Sequence, residues 1–361
     1  MVLELRGRVV LDEERETDVV WVVGDRLTFD RPSHVDDVVE GWVLPGLVDV
    51  HCHIGLAADG PVDRDTARAQ ALADRDSGVL LVRDAGSPSD TSWVHDEDEL
   101  PRLVRSGKHL ARPKRYLRHF GRELGDPDEL ATAMAEEAAR GDGWVKLVAD
   151  WIDRDLGADA DLRPLWSDEQ LAAGIAAAHE AGARVTAHAF STEALPGLLA
   201  AGIDCIEHGT GLTPEMVDTL TERGVPVTPT LLQIGQFDQI AAQGEAKFPQ
   251  FSARMRRLHE RRYTQVRELF EAGVQLLVGT DAGGTIEHGR IADEAAEMAR
   301  AGIPAREVVA AASWRTRRYL GFESIVEGAP ADVVVLPADP RTDVAVLASP
   351  SAVVLRGKVV S

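Results

Sequence analysis

The sequence predicts an α/β chain: a (β/α)8 TIM-like barrel carrying a small β-sandwich built from both chain termini. Three observations predict it. Across residues 43–324, apolar runs of strand length alternate with helix-period segments, the pattern of a parallel sheet with crossover helices. Residues 1–42 and 325–361 read as short strands and turns, with no helix-period segment in the first stretch. The chain has 361 residues, 44% of them hydrophobic, an ordinary globular composition with enough apolar side chain for a large core.

Taken in order, strands are expected over 2–5, 9–11, 18–23 and 26–29, separated by turn signals such as Arg6-Gly7 and Gly24-Asp25. At the other end, 331–336 reads as a strand and 353–360 as a hairpin. Neither end can bury an apolar face alone, and chain termini often lie close together. Residues 1–42 and 325–361 are therefore assigned to one composite β-sandwich, and 43–324 to the barrel. Barrel strands are placed at 43–51, 79–83, 113–118, 144–149, 184–188, 203–208, 225–230 and 275–281. Helices are placed at 63–77, 96–107, 128–140, 167–181, 192–201, 214–223, 251–272 and 291–301. Ser167-Asp168-Glu169-Gln170 has the capping-box pattern, Pro214 stands at a first helical position, and Gly182 and Gly273 fit C-caps. The third strand is the least apolar, because 112–119 is basic. Residues 304–320 read as extra helices leading out of the barrel. The longest connection runs over 231–249, and long loops at the carboxyl face of a barrel are often functional lids. The cluster Arg254, Arg256, Arg257, Arg261 and Arg262 reads as the solvated face of the helix that follows.

Charge and cysteine usage exclude several classes. The formal net charge is -21, with 60 acidic against 39 basic residues. Nucleic acid and anionic membranes would both be repelled by such a surface. No apolar run is long enough to span a bilayer, and no signal-peptide pattern opens the chain. Cys52 and Cys205 both fall in expected strands. Two buried thiols do not make a disulfide scaffold, so a reducing cytoplasm is the simplest compartment. Homo-oligomerisation is left open.

The chemistry starts at Leu44-Pro45-Gly46-Leu47-Val48-Asp49-Val50-His51-Cys52-His53. Side chains alternate along a strand, so His51 and His53 face one side together and Cys52 the other. Two imidazoles at the carboxyl end of a barrel strand can converge on one metal ion. Lys146, in Trp144-Val145-Lys146-Leu147-Val148, stands out because a strand buried on both faces should not hold an ammonium. Desolvation lowers the pKa of a buried lysine, and a neutral amine can add carbon dioxide to give an anionic carbamate. The blander alternative pairs Lys146 with a carboxylate inside the barrel. His188, His208 and Asp281 end the fifth, sixth and eighth expected strands. Singly, each is as readily a hydrogen-bonded core group or a helix cap; together they share one barrel rim.

These motifs resemble those of the amidohydrolase superfamily, within it the imidazolonepropionase-like and prolidase-like metal-dependent hydrolases. The resemblance covers essentially the whole chain. It rests on the Leu44–His53 motif, Gly78-Val79-Leu80-Leu81-Val82-Arg83-Asp84, Val145-Lys146, Ala187-His188-Ala189, Glu207-His208-Gly209-Thr210 and Gly279-Thr280-Asp281-Ala282-Gly283. The ending Ala331-Asp332-Val333-Val334 with Arg356-Gly357-Lys358-Val359-Val360 is similar to the family's closing strands. The resemblance implies a buried metal on His51, His53 and Asp281, and a more exposed one on His188 and His208. A carboxylated Lys146 would bridge the two. Two divalent ions, zinc by donor type, would activate water to cleave an amide-type C–N bond. Asp281 would be the catalytic acid–base group. The implied substrate is an N-acyl amino acid, a dipeptide or a cyclic amide. Arg115-Tyr116-Leu117-Arg118-His119-Phe120-Gly121 departs from the family's glycine- and histidine-rich run. There Tyr116, Arg118 and His119, with His288 elsewhere, are candidate substrate contacts. A mononuclear deaminase or cyclic amidase is the competing enzyme reading, and an esterase or lactonase would use the same activated water. A non-catalytic scaffold is a different class, disfavoured because all six ligand positions are filled.

Overall fold

The computed structural model describes residues 2–361. In the first strand, Val2–Val10, the residues Leu3, Leu5, Val9 and Val10 are buried while Arg6, Gly7 and Arg8 are exposed. The ladder to Glu16–Val23 is antiparallel and shifts register between Arg6 and Val9. One irregular strand thus stands where two short ones are expected. On its other side, Val2–Val10 pairs parallel with Asp37–Pro45, which pairs antiparallel with Val333–Leu336. Ala352–Leu355 and Lys358–Val359 extend the same sheet. Both chain ends therefore share one seven-stranded sheet. Leu3, Leu5, Val20, Val22 and Val43 bury one apolar face with Val333, Val335 and Val354.

The expected first barrel strand divides at Gly46. Residues Asp37–Pro45 belong to the terminal sheet, and Leu47–Cys52 starts the barrel. Leu47–Cys52 runs parallel to Val79–Asp84, which runs parallel to Arg102–Arg105. A further parallel run joins His109–Ala111, Trp144–Val148, Arg184–Ala189, Cys205–His208 and Val227–Thr228. Backbone hydrogen bonds link the two sets: Lys146 N to Ser106 O at 3.3 Å, Leu277 N to Val227 O at 2.9 Å, and Val50 N to Val278 O at 3.1 Å. The result is a TIM-like barrel of mixed α/β content. Its helices fall close to expectation, among them Arg64–Asp76, Asp168–Glu180 and Pro214–Arg223, and the capping box of Ser167 and Gln170 is formed.

Four expectations are corrected. The third strand is Arg102–Arg105, not 113–118, and the helix expected over 96–107 is absent. Lys114 within that stretch and His119 just after it take left-handed backbone angles (φ 60° and 67°), which break an extended run. The stretch 231–249 is not a plain loop but holds two short helices, Leu231–Gly235 and Phe237–Gly244. A distant side chain caps the first: the Glu294 carboxylate accepts from the amides of Leu231 (2.7 Å) and Leu232 (2.8 Å). Residues 275–281 are held by isolated bridges and single bonds rather than a continuous ladder. Among the described residues, no helix is long and apolar enough to cross a membrane.

Candidate metal centre

Leu47–Cys52 is buried along its whole length and delivers His51 and His53 to one side, their ring centroids 5.1 Å apart. Asp281 arrives from the neighbouring segment, its amide bonded to His51 O at 2.6 Å. Two glycines make that approach feasible. A Cβ on Gly279 would lie 2.7 Å from the His51 Cβ, and one on Gly283 (φ 111°) would lie 2.4 Å from His53 O. Asp49 ties the same two segments together. It accepts from the His51 amide (3.0 Å), the Thr280 amide (3.2 Å) and the Thr280 hydroxyl (2.6 Å).

The Nε2 atoms of His51 and His53 each lie 3.1 Å from Asp281 Oδ1. His53 Nδ1 is 2.7 Å from the Gly86 carbonyl, which can only accept, so Nδ1 carries the proton. The lone pair on His53 Nε2 then faces a carboxylate oxygen. A cation, or a proton on His53 Nε2, reconciles two such acceptors. Burial alone would raise the Asp281 carboxyl; His51 and His53 outweigh it and hold it well below the usual carboxylate range.

The second half adjoins the first, with the His51 and His208 ring centroids 5.2 Å apart. His188 Nδ1 and His208 Nε2 are 3.0 Å apart, and His208 Nδ1 is 2.7 Å from Thr230 Oγ1. Burial pushes His208 down to about 3 and His188 well below the ordinary histidine value, so both rings are neutral, the form that ligates metals. Lys146 is fully buried and donates to Glu207, whose other oxygen accepts from the Thr186 hydroxyl at 2.7 Å. Burial would raise Glu207, but His51, Lys146 and Arg83 hold it well below the usual range.

All six residues expected as ligands thus share one site. His51, His53 and Asp281 form one potential ligand group, and His51, Glu207 and His208 another, each with its ligand atoms within 4.8 Å of one another. Zinc–nitrogen bonds of about 2.0–2.1 Å in a tetrahedral site put donors roughly 3.3 Å apart, so these spacings fit. His51 Nδ1 and His188 Nε2 are buried without hydrogen-bond partners.

Three residues near the site were not among those expected to act in it. Glu207 is adjacent to His208 in sequence. Asp150 follows the fourth strand, accepts from the Phe190 and Ser191 amides, and lies 3.6 Å from His188 Nε2; burial pushes its carboxyl up to about 6. His109 is buried with its ring centroid 5.0 Å from that of His53 and its Nε2 unpartnered. A short strand beyond the third strand carries it, so misplacing that strand hid it.

The centre opens onto a cavity of about 630 Å³ that includes His53, His188 and Asp281 in its wall. Tyr116 lines it, as expected of a substrate contact. The other three candidate contacts do not. Arg118 and His119 are exposed on the irregular 113–119 segment. His288 points behind the strand, where its Nδ1 meets Asp74 Oδ2 at 2.8 Å. That contact belongs to a second buried group, Cys52, Asp74 and His288, on the opposite face of the strand from His51 and His53.

A model of the amidohydrolase family matches residues 42–360. The chain belongs to this family. An uncharacterized protein of Mycobacterium tuberculosis, Rv2915c, is 50% identical over 357 residues, covering 99% of this amidohydrolase and 95% of the relative. A Mycobacterium bovis protein matches to the same extent. Solved structures share the fold. A Xaa-Pro dipeptidase with bound methionine superposes with TM-score 0.84 at 22% identity, covering 99% of both chains. A prolidase complexed with n-methylphosphonate-l-proline gives 0.82 at 23% identity, covering 100% of both. The ochratoxinase of A. niger gives 0.79 at 19% identity, over 99% of this chain and 95% of that one.

Proposed function

We propose that this amidohydrolase cleaves an amide-type C–N bond in a small molecule or short peptide of the N-acyl amino acid, dipeptide or cyclic amide class. The observation that carries the reading is the approach of His51 Nε2 and His53 Nε2 to one Asp281 oxygen, at 3.1 Å each, beside the neutral pair His188 and His208. His51, His53 and Asp281 would hold one divalent ion and His188 and His208 a second, with Lys146, carboxylated on Nζ, between them. Imidazole and carboxylate donors suit zinc. The Xaa-Pro dipeptidase and the prolidase that share the fold support an amide substrate. We also assign residues 1–42 with 325–361 to a composite β-sandwich and 43–324 to a closed (β/α)8 barrel. Two buried free cysteines accord with a cytoplasmic location.

Metal held there supplies Lewis acidity and lets water ionise near neutral pH. Asp281, ionised, takes the proton released as water oxygen bonds to the carbonyl carbon. It passes that proton to the leaving nitrogen as the C–N bond breaks. Asp49 and Thr280 fix the backbone that aims Asp281. Carboxylation of Lys146 joins Nζ to the carbon of carbon dioxide, releases a proton and leaves one negative charge.

A second reading has its own observation. Lys146 already donates to Glu207, and a carbamate there would set two anions side by side unless metal neutralised them. With the ion pair kept, the centre is mononuclear, as in a deaminase or cyclic amidase; an esterase or lactonase fits either centre. Elemental analysis, with carbon NMR after growth in labelled bicarbonate, separates the readings. Two metals and a carbamate resonance are expected. One metal and no carbamate moves the assignment to the mononuclear form. No bound metal and no hydrolysis of any amide or ester overturns the proposal.

A further inference from the structure

The wall of the cavity beyond the metal centre is aromatic and aliphatic, with Trp151, Leu162, Phe190, Phe248, Phe251 and Met255. The two short helices and the residue that joins them line it with uncharged amides, Gln233, Gln236, Gln239 and Gln243. Histidines aside, the charged residues lining it are Asp281 and Arg154. Asp281 belongs to the metal centre, which leaves Arg154 as the cavity's own charge.

Arg154 is exposed at the rim of the cavity, lies among acids and pairs with none of them. Asp153 and Asp155, its chain neighbours, both meet Arg115, at 2.7 and 2.9 Å. Asp159 accepts from Gln250 at 2.7 Å, and Asp161 meets Arg254 at 2.9 Å. All four carboxylates of 153–161 have partners elsewhere, in a chain whose net charge is -21. Among the described residues, the Arg154 guanidinium makes no hydrogen bond or ion pair. Its rigid fork of donors matches a carboxylate. The same wall offers no carboxylate outside the metal centre to balance a substrate ammonium.

We propose that Arg154 anchors a substrate carboxylate, and that the substrate is an N-acyl amino acid with a bulky apolar group and no free α-ammonium. The apolar group fills the aromatic wall, the scissile amide meets Asp281, and the carboxylate reaches Arg154 at the rim. This assignment rests on the amide-hydrolase reading above. Hydrolysis adds water across the amide, giving a carboxylic acid and an amino acid whose carboxylate Arg154 still holds.

The test compares N-benzoylphenylalanine with its neutral carboxamide, in the wild type and in Arg154→Gln and Arg154→Lys, using metal-loaded protein. The wild type should prefer the acid, and Arg154→Gln should raise KM for the acid about 10–100-fold with little change in kcat, the range of a lost charge-assisted hydrogen bond. The acid-over-carboxamide preference should collapse, and Arg154→Lys should recover part of it. Calorimetric binding of 3-phenylpropionate gives a readout independent of turnover, and the same weakening is expected there. Unchanged KM, preference and binding in Arg154→Gln overturn the assignment. If no amide is cleaved but 3-phenylpropionate binding still depends on Arg154, the carboxylate site stands and the amide-hydrolase reading fails.

Discussion

Two buried histidine–carboxylate groups lie back to back on the strand Leu47–Cys52. The front group joins His51 and His53 to Asp281, and the back group joins Cys52, Asp74 and His288. In each, the potential ligand atoms lie within 4.8 Å of one another. They differ in how their polar atoms are satisfied and in what they face. In front, two imidazoles share one carboxylate oxygen and the wall opens onto the cavity. Behind, both Asp74 oxygens are taken, one by His288 and the other by the Gly289 amide at 2.8 Å. Burial and the surrounding carboxylates push the Cys52 thiol well up, so it stays protonated and ligates poorly. Each group leaves one buried histidine nitrogen unpartnered, His51 Nδ1 in front and His288 Nε2 behind, so neither proximity nor an unmet nitrogen separates them; the open cavity beside the front group does.

The sharpest way to break this comparison is Asp281→Asn. It keeps the shape and one oxygen donor but cannot take a proton. Turnover should fall by ~10²–10⁴-fold while most of the metal remains. Near-normal turnover with a full metal complement would remove Asp281 from the proton transfer.

Lys146→Ala probes the other half of the front group. With Lys146 carboxylated, it should lose metal and turnover together; with the ion pair kept instead, it should leave Glu207 buried without its cation, at a stability loss of about 3–5 kcal/mol. Adding Glu207→Gln should recover much of that stability but none of the metal. Acetate or propionate, filling the vacated space, should restore some activity to the single variant. If Lys146→Ala retains its metals and activity, the bridging role falls.

The smallest effect belongs behind the strand. Burial would lower His288, but Asp74, with Asp49 and Asp84 beyond it, outweighs burial and raises it. A histidine raised in the folded state contributes stability that is fully present below its ordinary value near 6.5 and lost as pH rises through the raised value. His288→Gln should cost about 1–3 kcal/mol below pH 6.5 and flatten that part of the stability profile. Metal content and turnover should not change. A fall in bound metal would show that the back group holds an ion too.

Strand alternation made the front group legible in the sequence, since it places His51 and His53 together and ends the fifth, sixth and eighth strands on His188, His208 and Asp281. It also explains why Glu207 was missed. Neighbouring residues on a strand face opposite sides, so expecting His208 at the site argues against Glu207. The structure uses both, because His208 turns into a left-handed conformation (φ 64°), as Asp281 does (φ 59°). The third strand failed for a different reason. Arg102-Leu103-Val104-Arg105 is too short to show a period, and its ladder to Val79–Asp84 is a long-range fact. The helix Leu231–Gly235 was hidden in the same way, since its cap comes from Glu294. Locally encoded features could be read; those completed by a distant partner could not.

The seven-stranded sheet has a consequence for how the chain is made. Asp37–Pro45 leaves the ribosome early, yet one of its edges is covered by Val333–Leu336, about 290 residues later. Until synthesis is nearly over, that edge stays open while the barrel beside it takes shape. An unpaired strand edge is an invitation to other chains. The last strands therefore act as a latch on translation, and a ribosome that stalls after residue 330 releases a chain whose first-made sheet is still open.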